Sequence, residues 1–187
     1  MAVLASILNG KLKVNEIQKF PWTYDQFQRY SVLREFLEAF YPGGKGKVLD
    51  VGGLSPDREG KSYWLPIKRV YPGDSSVLDL AFCKAESYIQ GNGNCLPFKD
   101  DSFDIVSALD VIEHIPVRNR GKFIRELCRV SKGSIVISAP FQDDRIEKVE
   151  ELLFKQIKLY YGIEHAQLKE HKEFGLPDKK IIVKQNY

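Results

Sequence analysis

The sequence has few cysteines and no long apolar run, and both shortages narrow the class of protein. Three cysteines stand among 187 residues, an odd number without CxxC spacing, which favours reduced thiols over a disulfide framework. No apolar run approaches the roughly 18 residues of a membrane-spanning helix. The apolar start Met1–Leu8 is short and lacks a basic lead, so it does not predict a secretion signal. We therefore expect a cytoplasmic protein without a membrane span.

The sequence also lacks a strong charge of either sign. It has 28 Lys and Arg against 25 Asp and Glu, and no dense basic cluster of the kind that binds nucleic acid. We therefore predict no nucleic-acid partner. An apolar content of 43% over 187 residues is enough for one core. We expect one domain over 1–187, with an N-terminal helical extension (1–44), a core (45–140) and a helical C-terminal segment (141–187).

Apolar periodicity predicts the helices. Thr23 and Gln26 form a capping pair before apolar residues at helical spacing, namely Phe27, Tyr30, Leu33, Phe36, Leu37 and Phe40. A short helix is expected around Tyr63–Leu65 and a longer one over 118–130. Another is expected from Asp143 or Asp144 to Tyr161, with a buried stripe at Ile146, Val149, Leu153, Ile157 and Tyr160. The tail after Ile163 is predicted as a helix or a last strand.

Five short segments are typical of strands: Lys47–Val51, Ser76–Leu80, Glu86–Gln90, Ser102–Leu109 and Ser134–Ala139. Long connections or helices separate them, which predicts right-handed crossovers and a mainly parallel sheet. The expected fold class is therefore α/β, with helices on both faces of the sheet. Ligand sites of such folds lie at the carboxyl ends of the strands.

Polar and glycine residues follow the first two strands. In KVLDVGG, Asp50 stands near the strand end and Gly52-Gly53 form a turn that allows close approach of a ligand; an ordinary tight turn explains them equally well. Asp79 ends the next strand, where a carboxylate can accept hydrogen bonds from a ribose diol. Asp74 is the alternative, and both aspartates are also common turn residues.

The third and fourth strands are followed by similar candidates. Asn92 and Asn94 carry amides that suit an adenine edge, although both are also common turn formers. Asp110, Glu113 and His114 come after the fourth strand, and His114 is a candidate general base. The alternative is that His114 only packs the turn before Pro116.

A metal site is not predicted from the remaining histidines. His165 and His171 stand six residues apart without a matching cysteine cluster, which is a poor ligand spacing.

Two of these blocks resemble one family. VLDVGG (48–53) and LPFKDDSFDIVSALDVIEHIP (96–116) are similar to the class I S-adenosylmethionine-dependent methyltransferases of type 11, over about Val48–Pro140. The resemblance implies a three-layer Rossmann-like methyltransferase fold and S-adenosylmethionine as cofactor. The later EHAQLKEHKEFGLP (164–177) resembles a tail of some bacterial and archaeal members associated with glycan or cell-surface biosynthesis.

The resemblance also implies cofactor positions. Gly52 and Gly53 would line the methionine part, with Asp50 at the base of their loop, and Asp79 would take the ribose hydroxyls. Residues after the later strands would contact the other parts of the cofactor. The adenine would be contacted by Asn92 or Asn94, Cys95 and Leu96. Leu109 and Asp110 would lie near the sulfonium.

The sequence departs from the family pattern in three places. Leu54-Ser55-Pro56 replaces the later glycines of the loop, and an Asn replaces the adenine-side Asp. Only IIVKQNY remains to supply the antiparallel strand pair that normally ends this fold. We expect a chain that is naturally short, truncated, or completed by a partner.

The predicted function is methyl transfer to a small-molecule or glycan-type acceptor. The N-terminal helix, with Trp22, Tyr24 and Tyr30, and the segment 141–177 would cover the site. The alternative is a non-catalytic methyltransferase-like module that serves a partner. A nicotinamide-dependent oxidoreductase ranks last, because GGLSPD does not fit G-x-G-x-x-G. A homodimer is left open.

Overall fold

A parallel five-stranded sheet forms the centre of the protein. The computed structural model describes residues 23–56 and 62–180; Met1–Leu8, Trp22 and IIVKQNY lie outside the described residues. In chain order the strands are β1 (Val48–Val51), β2 (Ser55–Pro56), β3 (Tyr63–Trp64), β4 (Ser75–Asp79), β5 (Tyr88–Gln90), β6 (Phe103–Leu109) and β7 (Ser131–Ser138). The sheet order is β5-β4-β1-β6-β7, all parallel, while β2 and β3 form a separate antiparallel pair.

Helices cover both faces of this sheet. They are α1 (Tyr24–Phe40), α2 (Ile67–Val70), α3 (Val117–Val130), α4 (Asp144–Tyr161) and α5 (Ala166–Phe174). One buried cluster joins α3 to the sheet through Phe123, Ile124 and Leu127. A second cluster joins α1 to the opposite face through Tyr30, Leu33 and Leu37. Strands β1 and β6 are almost entirely buried because helices cover the sheet on both sides, and the predicted three-layer α/β fold is confirmed.

Helix α1 begins as predicted and buries a narrower face than predicted. The Gln26 side chain accepts a hydrogen bond from the Thr23 backbone N–H at 3.2 Å, which satisfies one of the free donors of the first turn. Tyr30, Leu33 and Leu37 are buried, together with Gln26. Phe40, the last residue of the helix, is exposed.

The predicted buried stripe of α4 is wrong. Val149, Leu153 and Tyr160 are exposed, and no residue of this helix is buried. An apolar stripe at helical spacing indicates an amphipathic helix but does not supply the surface that covers it. Among the described residues, β7 is the last strand on this side of the sheet.

Two smaller differences concern element positions, while the tail agrees with its prediction. The short helix of the 54–75 connection is Ile67–Val70, and Tyr63–Trp64 is instead a strand. Strand β7 begins at Ser131, directly after α3. The tail contributes helix α5, one of its two predicted forms. None of the helices in the described ranges is both long and apolar enough to cross a membrane.

Candidate active site

A cavity of about 530 Å³ opens at the carboxyl ends of β1, β4 and β6. This volume lies in the range of small-molecule and cofactor sites. Six of the predicted site residues line it, namely Gly52, Asp79, Asn92, Asn94, Leu109 and Asp110, together with His114. The parallel topology brings together strand ends that are up to 60 residues apart in the sequence.

The turn after β1 leaves no room for side chains. Gly52 has a φ of +76°, and a Cβ there would lie 2.4 Å from a methyl of Val111. A Cβ on Gly53 would lie 2.1 Å from the carboxylate of Asp50. Both contacts are shorter than any packed pair allows, so the two glycines are required by the fold of the turn. Gly52 lines the cavity, whereas Gly53 is buried behind it.

Asp50 lies beneath the cavity and does not line it. Its carboxylate is fully buried and accepts hydrogen bonds from the Tyr30 hydroxyl and the Ser107 hydroxyl, both at 2.7 Å. Burial raises the pKa of Asp50 to about 6, although both hydrogen bonds oppose the rise. Asp50 therefore ties α1, β1 and β6 together at the base of the site.

The Asp50→Asn variant is expected to gain stability relative to the native protein as the pH rises from 4 to 7. The pKa of Asp50 in the folded protein, about 6, lies above the ordinary value of 3.8. Between these two values the folded state keeps a proton on Asp50 that the unfolded state has lost. The free energy of unfolding of the native protein therefore falls by up to about 3 kcal/mol as the pH rises from 4 to 7. An asparagine removes this loss, and its amide can hydrogen-bond both hydroxyls. Urea unfolding of both proteins at each pH measures the difference.

The control for this prediction is Asp74→Asn, because Asp74 is an exposed aspartate. Its unfolding free energy should follow that of the native protein at every pH. The free energy of unfolding of Asp50→Asn minus that of the native protein should rise between pH 4 and 7. A constant or falling difference would contradict the raised pKa of Asp50.

Asp79 occupies the edge of the cavity where β4 ends. Its two carboxylate oxygens accept hydrogen bonds from the Leu54 N–H at 3.2 Å and the Ala81 N–H at 3.1 Å. It thus orders the loops on either side of the site, and its remaining lone pairs are available to a ligand. The alternative, Asp74, precedes β4 and lies at the opposite end of the strand from the cavity.

Two of the four residues predicted to contact the adenine line the cavity. Asn92 and Asn94 both line the cavity, and the Asn92 side chain accepts hydrogen bonds from the Asn94 backbone at 2.9 Å and side chain at 3.2 Å. The turn-forming and ligand-facing interpretations therefore both apply to Asn92. Cys95 is exposed and Leu96 is packed in the core, and neither lines the cavity, so their cofactor contacts stay a prediction.

Asp110 stands in a strained conformation directly after β6. Its φ is +54°, a left-handed conformation that costs energy outside glycine. Arg29 of α1 donates a hydrogen bond to one carboxylate oxygen at 3.0 Å, and the Ser138 hydroxyl donates to the other at 2.8 Å. Such strain is held where surrounding contacts over-determine it, and functional sites are one such place.

Arg29 and Gln26 are site residues that sequence reasoning missed. Both line the cavity, and Gln26 is one helical turn before Tyr30 on the buried face of α1. A polar residue on an otherwise apolar stripe was the available signal. Of the predicted covering residues, Tyr24 is 76% exposed and Tyr30 is buried against Asp50, so α1 faces the cavity with polar rather than aromatic side chains. From the predicted covering segment 141–177, Gln167 of α5 lines the cavity.

His114 lies in the short 3₁₀ turn Ile112–His114, between the cavity and α5. Its Nδ1 is 2.8 Å from a carboxylate oxygen of Glu170. Burial lowers the pKa of His114, while the Glu170 hydrogen bond acts in the opposite direction. The adjacent Glu113 is 1% exposed, and burial raises its pKa to about 8.

The fold brings His171 to the same place. The His171 and His114 rings lie 4.9 Å apart between centroids, and Glu113, His114 and His171 each offer a possible ligand atom to one metal ion. The sequence argument against a metal site did not consider this group. It compared His171 only with its neighbour His165, whereas the relevant partners are nearly 60 residues away in the chain.

Comparisons with known proteins agree with this geometry. Residues 63–137 match the family model of a methyltransferase domain. A solved structure of a protein from Pyrococcus horikoshii OT3 is 19% identical with a TM-score of 0.51, over 78% of this chain and 70% of that one. At such identity the similarity concerns the fold.

Two further solved structures are described as methyltransferases. A putative methyltransferase from Bacillus halodurans C-125 is 21% identical with a TM-score of 0.46, over 76% of this chain and 65% of that one. A 1,6-didemethyltoxoflavin-N1-methyltransferase from Burkholderia thailandensis, solved with S-adenosylhomocysteine, is 15% identical with a TM-score of 0.46, over 76% of this chain and 61% of that one. The chain thus spans just under two thirds of either protein's length.

The family match covers one part of the chain that forms the cavity. It runs from β3 into β7 and includes Asp79 and Asp110, whereas Arg29, Gly52 and Gln167 lie outside it. Residues 63–137 of the chain are therefore similar to a methyltransferase domain, in agreement with the resemblance seen in the sequence.

Proposed function

We propose that the protein transfers a methyl group from S-adenosylmethionine to a small-molecule or glycan-type acceptor. The observation that carries this proposal is the cavity of about 530 Å³ in which Gly52, Asp79 and Asp110 meet at the carboxyl edge of the sheet. These are residues that the family resemblance assigns to the cofactor. The absence of a dense basic cluster in the sequence favours a small acceptor over a nucleic acid.

The residues around the cavity suggest how the cofactor would be held. The backbone at Gly52 would face its methionine part, and the Asp79 carboxylate would accept hydrogen bonds from the ribose hydroxyls. Arg29, which is paired with Asp110 at 3.0 Å, has a guanidinium suited to the cofactor's carboxylate. S-adenosylmethionine, when bound, supplies an electrophilic methyl group on a sulfonium.

Little covalent participation is needed from the protein. Methyl transfer depends on alignment of the acceptor with the methyl group and on exclusion of water, and α1 and Gln167 of α5, which line the cavity, would cover it for this purpose. We propose His114 as the proton acceptor where the nucleophile needs one, since it lines the cavity and its ring is oriented by the contact of Nδ1 with Glu170.

Asp79→Ala is expected to bind S-adenosylhomocysteine at least about tenfold more weakly than the native protein, because a charged acceptor of two hydroxyls is removed. Isothermal titration calorimetry measures the change. Asp74→Ala is the matched control, since Asp74 is an aspartate at the other end of the same strand, and it should bind like the native protein. Failure of the well-folded native protein to bind either form of the cofactor would overturn the proposal.

The non-catalytic alternative predicts a different pair of results. A module that serves a partner would lack turnover with every small acceptor and glycan tested, whether or not it binds cofactor. Methyl transfer from radiolabelled cofactor to an acceptor pool, with loss of the signal in Asp79→Ala, would exclude this alternative. A homodimer stays a prediction that light scattering would test.

A further inference from the structure

Three side chains that are distant in sequence converge beside the cavity. Glu113 and His114 lie in the 3₁₀ turn after β6, and His171 lies near the end of α5. One possible ligand atom from each lies within 4.8 Å of the other two. Two imidazoles and one carboxylate form a recurring ligand set of zinc sites that keep an open position.

Each histidine is oriented by its own carboxylate. His114 Nδ1 is 2.8 Å from Glu170 and His171 Nδ1 is 3.0 Å from Glu150. A metal-binding histidine almost always gives its second ring nitrogen to a carboxylate, a carbonyl or water, which fixes the ring and leaves the other nitrogen for the ion. Here both histidines show that arrangement, and both keep Nε2 for a ligand.

Buried polar atoms in this cluster lack protein partners. Glu113 Oε2 and His171 Nε2 are inaccessible to solvent and make no hydrogen bond. The Glu113 residue is 1% exposed and the His171 side chain 11% exposed. Unsatisfied buried polar atoms cost about 1–3 kcal/mol each and are rare in folded proteins. Two such atoms in one three-residue cluster indicate a missing positive partner.

A purely structural role does not explain these observations. The Glu150 and Glu170 contacts would by themselves dock α5 and its neighbour α4 through paired charges. They engage only Nδ1 of each histidine, and they leave Glu113 unused. Neither unpartnered atom, Glu113 Oε2 or His171 Nε2, is engaged by these carboxylates.

We propose that Glu113, His114 and His171 bind a divalent transition-metal ion of the zinc type. Glu150 and Glu170 would orient the two imidazoles. Bond lengths of about 2.1 Å place tetrahedral ligands about 3.4 Å apart, whereas the ligand atoms here lie within 4.8 Å of one another, so they would close by up to about 1.4 Å through small rotamer changes. Because His114 lines the cavity, the fourth position would be open to it for a water or an oxygen of a bound ligand.

This site alters the role available to His114. An ion on Nε2 engages the lone pair that a general base needs, so the metal-ligand and base roles exclude each other. With the ion present, a hydroxyl in the fourth position would instead be made more acidic by the ion itself. The metal proposal stands without methyl transfer, because it concerns binding by these three residues alone.

The test is titration of the chelator-treated native protein with Zn²⁺, followed by calorimetry, and with Co²⁺, followed by its visible absorption. We expect one equivalent to bind at micromolar or lower concentration. His171→Ala, His114→Ala and Glu113→Gln should each weaken binding at least about 100-fold, and Glu150→Gln about 10–100-fold as an orienting residue. The matched control is His165→Ala, which removes the third histidine six residues from His171 and should leave binding unchanged.

A second measurement covers the case in which a variant misfolds. Because the chain has three histidines, imidazole ¹⁵N spectra of the native protein can follow each of them, and Zn²⁺ should move the Nε2 signals of two and leave His165 unchanged. The proposal is overturned if the native protein binds no metal, if His165→Ala weakens binding as much as His171→Ala, or if all three imidazoles respond alike.

Discussion

Replacement of Gly52 by alanine is expected to destabilise the protein by about 2–4 kcal/mol and to weaken cofactor binding. Two costs add. The φ of +76° is unfavourable for any residue with a Cβ, and the new methyl would lie 2.4 Å from Val111, which is overpacking worth about 1–3 kcal/mol. The turn would have to move to relieve this contact, and cofactor binding would weaken because the turn lines the cavity. Urea unfolding and calorimetry with S-adenosylhomocysteine measure the two effects.

Gly43→Ala separates the two costs. Gly43 has nearly the same φ, +73°, but a Cβ there meets nothing within 4 Å, so only the backbone cost of about 1 kcal/mol is expected. Val111→Ala in the Gly52→Ala background should recover part of the loss, because it removes the clashing methyl. Equal destabilisation by Gly52→Ala and Gly43→Ala, or no coupling between positions 52 and 111, would show that close approach does not matter here.

Arg120→Met is expected to cost about 2–4 kcal/mol and to loosen α5. Arg120 is 2% exposed, and burial lowers its pKa. Its guanidinium donates hydrogen bonds to the Ile115 carbonyl at 2.9 Å and to the carbonyls of Phe174 and Gly175. Methionine fills similar volume but leaves these acceptors unpaired, a cost that exceeds the relief from removing a buried charge.

Hydrogen exchange distinguishes this role from general packing. Because Arg120 bonds the last residues of α5, the amides of Ala166–Phe174 should lose protection more than those of the sheet. Arg125→Met is the control, since Arg125 lies on the same helix but is exposed, and it should change stability by less than about 0.5 kcal/mol. A cost in Arg120→Met no greater than this would refute the proposed role.

The parts of the site that sequence reasoning found share one physical origin. Gly52, Asp79 and Asp110 each stand at or directly after an apolar strand, and parallel strands present such positions at one edge of the sheet. Local pattern plus topology is therefore enough to predict them. The same logic predicted the helix that covers them, because capping and apolar spacing are local properties.

The parts that it missed depend on contacts between distant segments. Arg29 reaches Asp110 across 81 residues of sequence and His171 reaches His114 across 57, and no local pattern encodes either approach. Arg120 is of the same kind. It stands one turn before Phe123 and Ile124 on the buried face of α3, and its distant partners lie at the end of α5, more than 50 residues away. A charged residue on an apolar stripe marks such a position but does not name its partner.

The apolar stripe of α4 is a contact that the sequence predicted and the structure does not form. Its spacing indicates an amphipathic helix, and the helix forms with its Asp143 cap and its Gly162 end as the sequence predicted. Burial requires a facing surface, and none of the described residues supplies one to Val149, Leu153 or Tyr160. Local hydrogen bonding decides that a helix exists, whereas only packing decides which of its faces is covered.

The sequence by itself determined the α/β class, the methyltransferase resemblance and the strand ends that line the cavity, because apolar periodicity, turn residues and strand topology are local or follow from general rules. The tertiary structure alone decided that Arg29 faces Asp110, that Asp50 is buried beneath the site rather than in it, and that Glu113, His114 and His171 meet. These facts depend on where helices α1 and α5 dock, and docking is set by the summed packing of many side chains rather than by any one motif.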